Sequence, residues 1–207
     1  MRAAPAAVDK VLPSDCPAFQ ELLQRSNVVL VYGEAAAGKT TLTLTALKRL
    51  CLTRCLYVST ERLDFLRRAQ QLGLDLGRLE VYSALDAYDF IELVASPRLA
   101  AYDAVAVDSI NAYAHETRES YVLTLLAAAS LRSLAERLGV KVLETAQVRY
   151  HGEAGEEPAA GKALELWADT VIELRRGAGP GERLAEVKGG PVLRFRVTEE
   201  GLEWLKC

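Results

Sequence analysis

The clearest chemical signal in the sequence is an eight-residue segment, residues 33–40, which reads G-E-A-A-A-G-K-T. It fits the phosphate-binding loop (P-loop) pattern G-x-x-x-x-G-K-[ST] at every fixed position, between an apolar run and a segment typical of a helix. The glycines let backbone N–H groups curl around phosphate oxygens, and the following helix adds its dipole. Lys39 is expected to reach the β- and γ-phosphates of a nucleotide, and the Thr40 hydroxyl to bind Mg²⁺. The predicted nucleotide-binding residues are Gly33, Glu34, Ala35, Ala36, Ala37, Gly38, Lys39, Thr40 and Thr41.

A second metal-binding group is predicted at Asp108, which directly follows the apolar run 104–107. In proteins with a P-loop, an acid at the end of such a strand helps to hold Mg²⁺. The alternative is an aspartate that caps a helix or a turn. The distance along the chain from the P-loop favours the metal-binding interpretation.

Two further polar residues follow predicted strands and are candidates for acting on the terminal phosphate. Glu61 could orient or deprotonate the water that attacks the γ-phosphate, or it could be a solvated residue beside a helix dipole. Gln147 could hydrogen-bond the γ-phosphate and report its loss to the loop that follows, or it could be an ordinary polar residue at a strand end. Because parallel strands end along one edge of a sheet, we expect both residues to lie near Asp108 and Lys39.

The hydrophobic pattern predicts the elements that position these residues. Short apolar runs rich in β-branched residues are typical of buried strands, and longer periodic segments are typical of helices. The predicted strands are 28–32, 55–58, 79–82, 104–107 and 140–146, and the predicted helices are 17–24, 40–50, 63–72, 88–95 and 120–138. Continuously apolar strands separated by helices indicate an α/β fold with a mostly parallel central sheet flanked by helices. In helix 120–138 the side chains expected on one apolar face are Val122, Leu125, Leu126, Ala129 and Leu138.

The pattern changes after residue 161, where three short strands, 170–174, 183–187 and 192–197, are joined by glycine-rich turns. They predict a C-terminal antiparallel extension of the same sheet. Residues 1–27 are expected to form a short lead-in, and residues 28–207 a single domain.

Composition excludes several classes of protein. The chain has 207 residues and a net charge of −3, which disfavours nucleic-acid binding by bulk charge. No apolar run approaches the roughly 20 residues of a membrane span, and residues 1–10 lack the core of a signal peptide, so a cytoplasmic location is expected. The four cysteines complete no zinc site and are expected to be reduced and buried; disulfides, the alternative, would suit an intracellular protein of a thermophile.

In order along the chain, these segments resemble the RecA/RadA recombinase family. Residues 57–61, Y-V-S-T-E, resemble its Y-I-D-T-E segment, and residues 107–110, V-D-S-I, match its Mg²⁺ segment. Residues 144–148, E-T-A-Q-V, resemble its x-T-N-Q-V segment, which leads into the second DNA-binding loop. The resemblance implies a RecA-like P-loop NTPase core that uses ATP and Mg²⁺, with Glu61 as the catalytic carboxylate and Arg62 as a candidate adenine contact.

The chain departs from full recombinases at its beginning. Only 27 residues precede the first predicted strand, too few for an N-terminal helical DNA-binding domain. Residues 1–18 contain no Phe, so the F-x-x-A self-assembly motif is missing. The resemblance is therefore to core-only paralogues of the archaeal RadB-like and RadA-like kind. It implies slow ATP hydrolysis, weak binding of single-stranded DNA, assistance to a main RadA-type recombinase, and a monomer or dimer rather than a filament.

The resemblance also places two DNA-binding loops, residues 112–119 and 148–163. An aromatic side chain there could stack on a base and cations could meet phosphates. The candidate DNA contacts are Arg118, Arg149, Tyr150, His151 and Lys162. Three glutamates in the second loop oppose its cations, which predicts weak, salt-sensitive binding. A plain surface loop is the alternative. Arg62, Arg67 and Arg68 are expected on a solvated helix face, which for Arg62 is the alternative to the adenine contact.

Two other functions remain open from sequence. One is a circadian-clock-type signalling ATPase with the same core, which would regulate protein partners without binding DNA. The other is a nucleotide-binding scaffold without turnover, against which the presence of Lys39, Thr40, Glu61 and Asp108 argues.

Overall fold

A computed structural model describes residues 15–60, 65–150, 156–158, 161–199 and 201–207, with the backbone alone at residues 149–150 and 156–158. The helices are α1 (Pro17–Arg25), α2 (Lys39–Leu50), α3 (Phe65–Gln71), α4 (Ala87–Val94), α5 (Arg118–Leu138) and α6 (Gly161–Glu165), with a 3₁₀ helix at Pro97–Ala101. The strands are β1 (Val28–Gly33), β2 (Cys55–Ser59), β3 (Leu79–Ser83), β4 (Ala104–Asp108), β5 (Lys141–Tyr150), β6 (Glu156–Pro158), β7 (Thr170–Arg176), β8 (Glu182–Val187), β9 (Val192–Val197) and β10 (Leu202–Lys206).

The strands form one sheet in the order β10-β9-β8-β7-β1-β5-β4-β2-β3, and β6 pairs with β5. From β7 to β3 the neighbouring strands are parallel, whereas β7 to β10 are antiparallel. The predicted α/β fold with a mostly parallel sheet and an antiparallel C-terminal extension is confirmed. The division into residues 1–27 and 28–207 stays a prediction.

Helices cover both faces of the sheet, which explains why its central strands are apolar throughout. On one face, Leu22 of α1, Leu44 of α2 and Phe65 of α3 belong to a core that includes Val29 and Val31. The opposite core contains side chains of α4, α5 and α6 and the alternate residues of β1, Val28 and Leu30. Because successive side chains of a strand point to opposite faces of the sheet, each apolar residue of these strands packs into one of the two cores.

The predicted apolar face of helix 120–138 is wrong. Val122, Leu126 and Leu138 are 47%, 51% and 57% exposed. The side that packs on the sheet is made mainly of small residues: Ser120, Thr124, Ala127, Ala128, Leu131 and Ala135. Small side chains let a helix lie close to the strands, so residue size rather than hydrophobicity sets the orientation of α5.

One carboxyl group lies inside the core beneath α5. Glu144 of β5 is fully buried, and neither of its carboxyl oxygens has a hydrogen-bond partner among the described residues. Its neighbours two positions away, Val142 and Ala146, belong to that core, so its side chain faces the same way. Because burial penalises the charged form, the pKa of Glu144 rises to about 8.

Strand β5 does not end before Gln147 as predicted. It continues to Tyr150 and pairs antiparallel with β6, Val148 opposite Pro158 and Tyr150 opposite Glu156. In the segment 148–163, which shows no periodicity in the sequence, the described residues therefore form an antiparallel strand pair and the start of α6. The hydrogen bonds to β6 extend β5 beyond the end that its hydrophobic pattern predicts.

The expectation of reduced cysteines is wrong. Cys16 is bonded to Cys207, and Cys51 to Cys55, with Cα–Cα distances of 5.5 and 5.6 Å. The first bond joins the residue before α1 to the residue after β10, 191 positions apart. Sequence spacing carries no signal for a bond between partners so distant.

No helix among the described residues is long and apolar enough to cross a membrane.

Candidate nucleotide-binding site

The P-loop connects β1 to α2 at the carboxyl edge of the sheet. A Cβ on Gly33 would lie 2.3 Å from the carbonyl oxygen of Leu174 on β7, so only glycine fits at the end of β1. Gly38 has φ +98°, a left-handed conformation that glycine adopts without strain. The loop therefore turns sharply and starts α2 at Lys39, which leaves the first N–H groups of the helix available to an anion.

The side chain of Lys39 folds back across the P-loop to its first two residues. Its ammonium donates to the carbonyl oxygens of Gly33 and Glu34, each at 2.8 Å. Beside it lies a cavity of about 330 Å³ whose lining includes Thr40, Thr41 and Asp108. The lining also contains Ala35, Ala36, Gly38 and Gln147, so the cavity gathers most of the residues predicted to bind a nucleotide.

Asp108 lies at the centre of a hydroxyl network. Its Oδ2 accepts from Thr40 Oγ1 at 2.6 Å and from the Tyr57 hydroxyl at 2.5 Å, and its Oδ1 accepts from Thr145 Oγ1. Three donors on two neighbouring strands and α2 thus fix both carboxyl oxygens beside the P-loop. The structure brings the predicted pair Thr40 and Asp108 together, while their role as Mg²⁺ ligands stays a prediction.

Sequence reasoning missed the two other members of this network. Tyr57 and Thr145 lie on β2 and β5, the strands that flank β4 on either side. The available signal was a polar side chain next to the last residue of each of the predicted strands 55–58 and 140–146. Tyr57 is further held by stacking on Phe65, with ring centroids 4.0 Å apart.

Gln147 is held in place by the side chain of Asn111. The Gln147 N–H donates to Asn111 Oδ1 and Asn111 Nδ2 donates to the Gln147 carbonyl, both at 2.9 Å. Gln147 is opposite Gly33 in the β1–β5 register and lines the P-loop cavity. It also lines a second cavity of about 260 Å³, together with Thr60 and His115. Asn111, which is buried, therefore ties the start of the predicted first DNA loop to Gln147.

Three arginines that no motif indicated contact the loop or its helix. Arg183 of β8 donates from Nη2 to the Ala36 carbonyl at 3.1 Å, and Arg176 of β7 donates to the Ala35 carbonyl at 3.2 Å. Burial and then repulsion from Arg176 lower the pKa of Arg183. Arg68 does not lie on a freely solvated face, because it donates to Thr41 Oγ1 and to carbonyl groups at residues 198 and 201.

Several predicted site residues lie outside what the structure describes. Glu61, Arg62 and His151 are outside the described residues, and the side chains of Arg149 and Tyr150 are not described. The neighbour of Glu61, Thr60, donates its N–H to the Asp108 carbonyl at 3.0 Å. The remaining DNA candidates, Arg118 at the start of α5 and Lys162 in α6, have exposed side chains.

Comparison with known proteins finds similar chains. The DNA repair and recombination protein RadB of Halobacterium salinarum, in two strains, is 31% identical over 225 residues, covering 94% of this chain and 95% of RadB. Protein RecA of Campylobacter hominis is 28% identical over 174 residues, covering 73% of this chain and 49% of RecA. A crystal structure of the RadB recombinase is similar with a TM-score of 0.69 at 26% identity, covering 85% of this chain and 89% of that one. No family model matches.

Proposed function

Because this chain belongs to the RadB family of DNA repair and recombination proteins, we propose that it is a recombinase paralogue that binds ATP with Mg²⁺ at the P-loop. The observation that carries this proposal is the contact of 2.6 Å between Thr40 and Asp108 beside the P-loop cavity. A hydroxyl and a carboxylate are oxygen donors of the kind that Mg²⁺ prefers. The donor set therefore fits the ion, and Thr40 and Asp108 would hold it.

The other groups take roles that follow from their positions. Mg²⁺, when bound, neutralises charge on the β- and γ-phosphates. Lys39 binds phosphate oxygens from within the loop, and Gln147, at the same edge as Asp108, hydrogen-bonds the γ-phosphate. Glu61 orients the attacking water and accepts its proton, and Arg62 contacts the adenine. The position of Thr60, bonded to the Asp108 backbone, supports this assignment for Glu61.

We propose that hydrolysis is slow. The cations that line the P-loop cavity are Lys39 and Arg183, and two N–H groups of Arg183 already donate to the carbonyl oxygens of Ala36 and Glu182. Transfer of a phosphoryl group is faster by roughly 10³–10⁵ when an additional arginine reaches the transferring phosphate. Within the described cavity the one arginine lies on the side opposite to Asp108 and away from the γ-phosphate, so weak turnover is expected from the chain alone.

We further propose weak binding of single-stranded DNA at the edge that Gln147 occupies. Strand β5 continues beyond Gln147 and pairs with β6, and the side chains of Arg118 and Lys162 are exposed. Residues 148–163 carry two cations, Arg149 and Lys162, against three glutamates. Because phosphate contacts dominate such binding, affinity should be low and should fall steeply with salt.

The expected partner is a main RadA-type recombinase, which this chain would assist as a monomer or dimer in the cytoplasm. Family membership favours this role over a clock-type signalling ATPase, and DNA binding distinguishes the two. Pull-down of the RadA-type recombinase by the purified chain tests the partnership, and size-exclusion chromatography with ATP tests the assembly state. Long ATP-dependent filaments would refute the proposal of a monomer or dimer.

Two assays test the enzymatic and DNA-binding parts. Phosphate release should be measurable, should fall at least tenfold in Glu61→Gln, and should be unchanged in Glu136→Gln, a control on the exposed side of α5. Release that is equal in wild type and Glu61→Gln would support a scaffold without turnover. Anisotropy of a labelled oligonucleotide at low salt should rise on addition of protein; no binding with or without ATP and Mg²⁺ would favour the clock-type alternative.

A further inference from the structure

The antiparallel extension supplies a side chain to the P-loop cavity. Arg183 lies at the start of β8, 147 positions after Ala36, yet its Nη2 donates to the Ala36 carbonyl at 3.1 Å and it lines the cavity. Its Nη1 donates to the Glu182 carbonyl at 2.8 Å. The aliphatic part of the side chain passes over the loop, since its Cγ would be 3.7 Å from a Cβ built on Gly38.

The buried Nε of Arg183 has no hydrogen-bond partner among the described residues. A cationic N–H in this condition costs free energy, because its lost hydration is not replaced. Repulsion between Arg183 and Arg176 adds to that cost. Both costs are offset when an anion enters the cavity beside Arg183, because its guanidinium group then meets negative charge. The arrangement thus favours a bound polyanion over the free loop.

The order of the strands indicates which part of a bound nucleotide lies nearest to Arg183. The P-loop follows β1, and Asp108 and Gln147 lie on β4 and β5 on one side of it. Arg183 and Val197 lie on β8 and β9 on the other side. If Mg²⁺ and the γ-phosphate occupy the Asp108 side, the opposite side receives the α-phosphate and the nucleoside.

We propose that Arg183 is a positioning residue that fixes the P-loop at the nucleoside side of the cavity and so sets affinity for nucleoside diphosphates and triphosphates alike. This inference rests on the proposed nucleotide-binding function. It predicts a different effect from that of Gln147, whose contribution to affinity should be confined to the triphosphate. Holding the Ala36 carbonyl fixes the conformation of the P-loop beside the cavity, and the positive charge adds to that of Lys39.

The test compares fluorescent ATP and ADP analogues with Mg²⁺ by equilibrium anisotropy. Arg183→Gln should weaken both analogues by about tenfold, and by the same factor. Arg183→Lys, which keeps the charge but loses the planar guanidinium fork that bridges the two carbonyls, should weaken both by about threefold. The control is Arg196→Gln on β9, an arginine that pairs with Glu203 and does not line the cavity; it should bind as wild type does.

Two results would overturn the inference: binding of both analogues by Arg183→Gln within twofold of wild type, or a loss confined to the ATP analogue. The melting temperature distinguishes a folding defect from a binding defect. If Arg183→Gln has a lowered melting temperature, the inference is judged on Arg183→Lys, and an equal loss of affinity for both analogues supports it. Failure of wild type to bind either analogue would instead refute the proposed function, and this inference with it.

Discussion

Glu144→Val should make the protein markedly more stable at neutral pH and change how its stability depends on pH. In the folded protein the carboxyl group is fully buried without a hydrogen-bond partner among the described residues, and its pKa is raised to about 8. In the unfolded chain it ionises with a pKa near its ordinary value of 4.5. At pH 7 folding therefore requires this group to take up a proton, and valine removes that requirement.

The size of the effect follows from the shift. One pKa unit corresponds to about 1.4 kcal/mol, so keeping Glu144 protonated at pH 7 costs about 3 kcal/mol. The cost falls to about 1 kcal/mol at pH 5 and disappears below pH 4.5, where the carboxyl is protonated in both states. Above pH 8 it no longer grows, because both states are ionised. The wild-type free energy of unfolding should thus lose about 2 kcal/mol between pH 5 and 7 through this group alone.

Urea denaturation followed by circular dichroism at pH 5, 6 and 7 measures this dependence. The Val variant should exceed wild type by about 3 kcal/mol at pH 7 and by much less at pH 5. Glu144→Gln, which cannot ionise, should show the same pH trend as the Val variant, and Glu186→Gln, an exposed glutamate on β8, should behave as wild type does. Parallel pH profiles for wild type and the Val variant would refute the reasoning, because they would mean that Glu144 is ionised in the folded protein.

Three further predictions concern the site and the cross-links. Asp108→Asn should abolish the Mg²⁺ dependence of ATP binding, since an amide replaces the carboxylate that accepts three hydroxyl donors; titration of Mg²⁺ against a fluorescent ATP analogue checks this. Asn111→Ala should leave ATP affinity within about twofold but reduce the effect of ATP on oligonucleotide binding, because Gln147 loses both backbone restraints; unaltered ATP dependence would contradict it. Cys207→Ser should cost about 5 kcal/mol and Cys51→Ser about 2 kcal/mol of unfolding free energy, since the closed loops differ so much in length; equal losses in urea denaturation would contradict the loop-entropy argument.

The features that the sequence predicted well are those with local signals. The P-loop has a fixed spacing, and the strands from β1 to β5 are short apolar runs that begin within one residue of the predicted positions. The convergence of Thr40 and Asp108 followed from a topological rule, that parallel strands end at a common edge. Gln147 was placed correctly at this edge for the same reason, although its strand continues beyond it.

The features that could not be predicted depend on contacts between distant segments. The sequence predicts that β8 folds back beside β7, but Arg183 reaches the P-loop only because β7 lies next to β1, and no local pattern indicates that neighbour. The orientation of α5 was misjudged because alanine, serine and threonine on its buried side allow close packing, whereas hydrophobicity pointed to Val122 and Leu126. In both cases the local sequence is compatible with more than one arrangement, of the strands next to β1 or of the buried side of α5, and contacts with distant segments decide between them.

The bond between Cys16 and Cys207 determines how the molecule responds to mechanical force. Tension applied outside these two positions travels through the sulfur–sulfur bond, and the sheet between them carries almost none of the load. In an optical trap the oxidised protein should therefore lengthen very little, whereas a reductant should release a contour of about 650 Å from the enclosed residues. The chain is in this sense a closed ring that must be opened chemically before it can be pulled apart.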